Sequence, residues 1–233
     1  MQTVTKVNSN MWRRAQGGLY APARRRFPIN GLVFYAPLWH PELNADPFIS
    51  KDLNAFSCDV TGATWGIQGR TFDGSTNYIS TAIPSLSGIG ALTVSCWVKR
   101  DNAIPDETPL SIGAGWGEGT FLSLQNGHCY LSFFTDGTTA NAFCTLDVPA
   151  NTWTMVTYSY NGASVSIYKN AAFQDSEVAD GGLSIPTNQN VSIGRRPDGS
   201  ESMGGLIGEV LIYNRALMLA EIQNIYQSTK WRY

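Results

Sequence analysis

Glycoside hydrolysis needs two carboxylates flanking the sugar bond at a defined separation. Carried on one strand, they would stand two residues apart to share a face. No E-x-D-x-E cluster occurs in the 233 residues. Asp106 and Glu107 read as loop neighbours that point apart, and Glu118 stands alone in GWGEG. His40 and His128 lie in no recognisable nucleophile motif with a serine or cysteine. GIGALT leads into a strand rather than a helix, so it does not cradle phosphate. Cys58, Cys96, Cys129 and Cys144 lack metal-binding spacing. These absences predict a protein that binds rather than catalyses, with no cofactor.

The residues suited to binding emerge from three hairpin turns, Asn126-Gly127, Asp136-Gly137 and Asn161-Gly162, pairs that two-residue turns with positive φ favour. Two-residue loops would set Leu124 opposite Cys129 and Leu122 opposite Leu131. They would also set Phe133 opposite Ala140, Leu131 opposite Ala142 and Cys129 opposite Cys144. At the third turn Tyr158 would oppose Val165, and Val156 would oppose Ile167. The apolar residues then share one face, which a one-residue slip would destroy. The other face carries Phe121, Ser123, Tyr130, Ser132, Asn141, Phe143 and Thr157. In ALTVSCWVKR, Val94, Cys96 and Val98 alternate with Ser95, Trp97 and Lys99. Rings beside small polar groups suit a ligand platform. The same pattern fits a sheet face covered by loops or by the N-terminal segment. Trp116, in GAGWGEG, is either an exposed ring or a plug in the sandwich end. Arg195, Arg196 and Asp198, after NVSIG, could edge a sugar site with Trp97, Trp116, Tyr130 and Phe143.

The elements that must position these residues are mostly strands. GLVFYAPLW, CDVTGATW, RTFDGSTNYIS, TPLSIGAG, NVSIGRR and LIGEVLIYN add strand signals. Only ALMLAEIQNIYQ reads as a helix, with Leu219, Ile222 and Tyr226 on one stripe. The expected fold is an all-β, two-sheet antiparallel jelly-roll sandwich with a short C-terminal helix. Cys129 and Cys144 are close enough in this register for a bridge. However, no secretory signal is legible, so four reduced thiols are expected.

Residues 1–30 carry six basic and no acidic side chains, a charge of +6. The remaining ten basic and 18 acidic residues give -8, for the net charge of -2. This divides the chain into a basic, extended arm, 1–30, and a sandwich domain, 31–233. The arm interleaves Trp12, Tyr20 and Phe27 with Arg13, Arg14, Arg24, Arg25 and Arg26. Such a segment can lay aromatics into a neighbour while arginines meet carboxylates. A solvated tail is the alternative. The acidic body argues against nucleic acid, and no apolar run is long enough to span a membrane. The partners expected are a second copy or a larger protein lattice, and a glycan.

Several segments resemble the laminin-G-like jelly rolls of the concanavalin A-like lectin/glucanase superfamily. RTFDGSTNYIS is similar to the family's FDG strand, ALTVSCWVKR to its T-S-W-V-K strand, and NTWTMVTYSYNGASVSIYKN to its W-V-TYDG hairpin. LIGEVLIYNRALMLAEIQNIY is similar to its closing strand and helix. The resemblance spans about residues 31–228 and implies the concanavalin A-like sandwich. It also implies a calcium site, for which Asp73 and Glu209 are the candidates. An aspartate often seen near the closing strand is replaced in Gly208-Glu209, which weakens that site, and Asp73 could equally fix its own turn. Met218 stands where the family has a helix-capping serine. The function expected is a non-catalytic surface or assembly protein, synthesised in a cytoplasm without a signal peptide. A virion decoration or fibre component whose sandwich binds glycans fits best. A carbohydrate-binding or adhesion module of a cellular surface protein is the alternative, and a glycoside hydrolase is set aside.

Overall fold

Alternation along β7 (Leu92–Arg100) sets the architecture: Val94, Cys96 and Val98 are buried between two sheets. The computed structural model describes residues 27–101, 106–113, 119–126, 128–134, 139–179 and 190–233, with 133–134 and 139–147 described in backbone alone. The first sheet runs β14 (Ala172–Val178), β13 (Ser164–Lys169), β12 (Thr154–Tyr160), β7, β16 (Gly204–Tyr213), β5 (Gly69–Asp73) and β4 (Thr64–Gly66). β1 (Leu32–Pro37) pairs with the second half of β16, where β5 has ended. The second sheet runs β11 (Thr139–Asp147), β10 (His128–Phe134), β9 (Thr120–Gln125), β8 (Asp106–Ile112), β15 (Asn190–Ile193), β6 (Tyr78–Ala82), β3 (Ser57–Thr61) and β2 (Phe48–Ile49). Pairings within both sheets are antiparallel, as a jelly roll requires. Val156, Tyr158, Val165 and Ile167 face Leu110, Leu122, Leu124, Cys129, Leu131, Val191 and Ile193 in one core.

The first two hairpins have the expected registers: Leu124 opposes Cys129, Leu131 opposes Ala142, and Phe133 opposes Ala140. A bulge before Tyr130 interrupts the second; Cys129 is buried, as are the free thiols Cys58 and Cys96. The third hairpin differs. Tyr158 opposes Ile167 and Tyr160 opposes Val165, a shift of two residues. Gly162 and Ala163 form the turn, because the Asn161 side chain accepts from the backbone N–H groups of Ala163 and Ser164. A shift of two keeps every side chain on its face, so the core assignment survives. Asp106 and Glu107 lie in β8, not in a loop. Glu107 is fully buried, and the Arg100 Nε donates to its Oε2 at 2.9 Å.

The outer face of the first sheet is covered. Helix α1 (Leu219–Thr229) buries Ile222, Ile225 and Thr229 against it, whereas Leu219, expected on that stripe, is exposed. Met218 supplies no side-chain cap, and Glu221 instead accepts from the Met218 N–H at 2.9 Å. A second apolar cluster forms under the helix from Phe27, Tyr35, Trp97, Met155, Leu211 and Tyr213. Phe27–Asn30 belong to this layer: the Tyr213 hydroxyl donates to the Pro28 carbonyl and Arg215 Nε to that of Asn30. Phe27, expected in a neighbouring molecule, is instead 6 % exposed within its own chain, 5.3 Å from the Tyr35 ring.

Candidate ligand-binding face

Strand alternation says which side chains point outward but not from which sheet. Trp97 lies in the first sheet and Tyr130 and Phe143 in the second, so the expected common platform is two faces on opposite sides of the sandwich. Trp97 is 3 % exposed. Its ring stacks on Tyr226 (5.7 Å, 18°), lies 4.5 Å from Tyr233, and donates from Nε1 to Thr229 Oγ1 at 2.8 Å. It offers no surface to a ligand. Tyr130 is half-buried on the second sheet, and Phe143 lies opposite it in register. Trp12, Arg13, Arg14, Tyr20, Arg24, Arg25, Arg26 and Trp116 lie outside the described residues.

The outer face of the second sheet carries a row that the sequence alone does not reveal. Register places Asp59, Ser80, Ser192, Ser111, Phe121, Ser132 and Asn141 side by side across seven strands. Neighbouring strands stand about 4.8 Å apart. At the β3 end the row opens into a shallow groove of about 390 Å³, lined by Ser57, Asp59, Ser80, Thr81, Ala82 and Asn190. Ser192 is 5 % exposed and its Oγ has no hydrogen-bond partner. A buried hydroxyl left without a partner costs about 1–3 kcal/mol, so an incoming acceptor or donor would be favoured there.

The segment after β15 borders this face. The Arg195 guanidinium carbon stands 3.3 Å from the Tyr78 ring centroid, and the Arg195 carbonyl accepts from Ser111 Oγ at 3.0 Å. Arg196 turns the other way, over Phe121 at 5.0 Å, and pairs with Glu201. Glu201 Oε2 also accepts from Thr108 Oγ1 and Ser123 Oγ, at 3.1 and 3.2 Å. Arg196 and Glu201 thus pin the segment to the sheet. Asp198 is exposed and accepts from the Ser200 N–H and Oγ. Burial opposes its ionisation, but these bonds hold its carboxyl below the usual range. Arg195 thus borders this face, whereas Arg196 is spent on structure.

The calcium candidates do not come together. Asp73 Oδ1 accepts from the N–H groups of Ser75, Thr76 and Asn77, and Oδ2 from Thr76 Oγ1. Burial opposes ionisation, but these bonds together outweigh it and lower the pKa to about 2, so the carboxylate organises its own turn. Asp73 opposes Gly204, whereas Glu209 lies five residues further along β16, about 16 Å away. Glu209 is buried and accepts from Trp39 Nε1 at 2.9 Å and the Tyr35 hydroxyl at 3.2 Å. Burial pushes its pKa up, against the Trp39 hydrogen bond. These residues do not fit a shared metal ion. Among the described residues, no group of three His, Cys, Asp or Glu side chains could hold one. No helix among them is long and apolar enough to cross a membrane.

Two antiparallel sheets wound in this order, closed by β16 and α1, define a jelly-roll sandwich. The chain belongs to the concanavalin A-like lectin/glucanases superfamily, whose family model matches residues 73–223. No curated protein matches the chain. Among solved structures, it is similar to the receptor binding domain of botulinum neurotoxin D, with a TM-score of 0.68, 14% identity, and coverage of 86% of this chain and 53% of that one. It is similar also to the binding domain of botulinum neurotoxin DC in complex with SialylT, with a TM-score of 0.67, 11% identity, and coverage of 86% and 52%. The botulinum neurotoxin serotype C1 binding domain gives a TM-score of 0.65, 12% identity, and coverage of 86% and 53%. The chain thus spans about half the length of these solved chains, and at such identities the likeness is one of fold.

Proposed function

We propose that this chain is a non-catalytic module that binds a glycan on the outer face of its second sheet. The observation that carries the reading is the row Asp59–Ser80–Ser192–Ser111, with an unpartnered buried hydroxyl at Ser192 beside the groove. Hydroxyl and amide groups converging on a shallow face match the donors and acceptors of a sugar. The complex of the botulinum neurotoxin DC binding domain with SialylT supports the class of ligand by analogy of fold. Glu107 is buried and bound to Arg100, which favours binding over cleavage. A place on an assembled surface or virion rests on the basic composition of residues 1–26.

The test is a glycan array with the full chain, followed by titration of each hit in solution. Binding should fall at least tenfold in Ser80→Val and Asp59→Ala and persist in Leu219→Ala, on the opposite face. Equal loss in all three, or hits unaffected by Ser80 and Asp59, would show that this face is not the site.

A further inference from the structure

Two consecutive arginines follow β15, and they are not equivalent. Arg196 is 5 % exposed and compensated by Glu201, with Asp198 Oδ2 a further 3.9 Å from its Nη2. Arg195 has no carboxylate within ion-pair distance among the described residues. Its guanidinium carbon sits over the Tyr78 ring, 3.3 Å from the centroid, and its Nε is buried without a hydrogen-bond partner. Stacking orients the plane of a guanidinium while leaving its edge donors for a planar or tetrahedral anion. Tyr78 and Ser80 point outward from the same strand, two residues apart, and Ser80 opposes Ser192, whose hydroxyl is also unpartnered. The unsatisfied cation and the unsatisfied hydroxyl therefore border one stretch of the face. The backbone beneath them is fixed, because Ser111 holds the Arg195 carbonyl and Gly194 N–H bonds to the Pro109 carbonyl at 2.9 Å.

We infer that the face selects acidic glycans, with Arg195 receiving the anionic group of the sugar and Ser192 an adjoining oxygen. This rests on the glycan-binding reading above and adds the charge of the ligand. It runs against the bulk charge of the molecule, since residues 31–233 carry -8, so the preference must arise locally at Arg195. A carboxylate and a sulfate offer the guanidinium the same chemistry, and the experiment separates them.

The full chain is titrated with lactose, 3′-sialyllactose and 3′-sulfated lactose at low and high salt. The wild type should bind one or both acidic sugars about tenfold tighter than lactose, as one partly exposed charge-assisted contact allows. The preference should shrink as salt rises. Arg195→Gln should abolish the preference, bringing the affinities for the three sugars together, and Arg195→Lys should keep part of it. Thermal unfolding of both variants is measured alongside, because loss of the Tyr78 stack alone should leave the fold intact. Equal affinity for all three sugars, or a preference that survives Arg195→Gln, would overturn the inference and leave the glycan-binding reading standing. Absence of binding to any of the three sugars would count against both.

Discussion

Adding one methyl group at Gly208 should dislodge the end of the chain. A Cβ built there lies 2.4 Å from the Tyr233 hydroxyl and 2.6 Å from two of its ring carbons, so the whole ring must move. Backbone strain contributes nothing, since Gly208 is not among the positive-φ glycines. Tyr233 packs on Trp97 and Trp153 with ring centroids 4.5 Å apart in each case. Losing that burial costs about 2 kcal/mol, and the two ring contacts add about 0.5–1.5 kcal/mol each. With partial relocation of the ring, Gly208→Ala should destabilise by about 3 kcal/mol, a fall of about 6–12 °C in Tm for a domain of this size. Thermal unfolding followed by near-UV circular dichroism reads both the stability and the Trp97 environment. A double-mutant cycle isolates the cause. In a Tyr233→Ala background, Gly208→Ala should cost almost nothing. An undiminished cost there would refute the steric argument and place the effect within β16 itself.

Three further predictions follow from buried groups. Burial raises the Glu209 pKa, so its deprotonation opposes folding, and the stability it lends at acid pH is lost as pH rises through the raised value. Glu209→Gln should therefore gain on the wild type as pH increases, with the two Tm curves converging near pH 4; parallel curves would deny that Glu209 titrates. Deleting residues 1–26 should leave cooperative unfolding, whereas deleting 1–30 should cost about 2 kcal/mol through loss of the Phe27 ring, measurable by urea titration. Burial pushes the thiols of Cys58 and Cys96 up to about 12. Alkylation at pH 8 should then modify neither in the native protein, and rapid labelling of either would contradict their burial.

The hairpins were legible because their registers are local. Asn126-Gly127 fixes β9 against β10 within a few residues, and the alternation of Leu122 and Leu124 checks it. At Asn161 the same residue pair misled by two positions, because the asparagine served as an acceptor ahead of the turn rather than as its first central residue. The serine row was hidden for a different reason. Ser80, Ser192 and Ser111 meet only because β15 inserts between β6 and β8, and no turn joins β15 directly to either strand. Trp97 was misplaced for the same cause: outwardness is written in the alternation of β7, but the helix that covers it lies more than a hundred residues away. Arg195 and Arg196 look alike in sequence, and only Glu201 and Tyr78 tell them apart.

Phe27 enters the molecule in the layer behind the first sheet, while the groove opens in front of the second. The chain therefore has a back and a front, separated by the thickness of the sandwich. A support meeting the molecule at Phe27 would contact the back and leave the groove clear for ligand. On a support carrying many copies, weak single contacts would combine by raising the local concentration of grooves rather than by tightening any one of them.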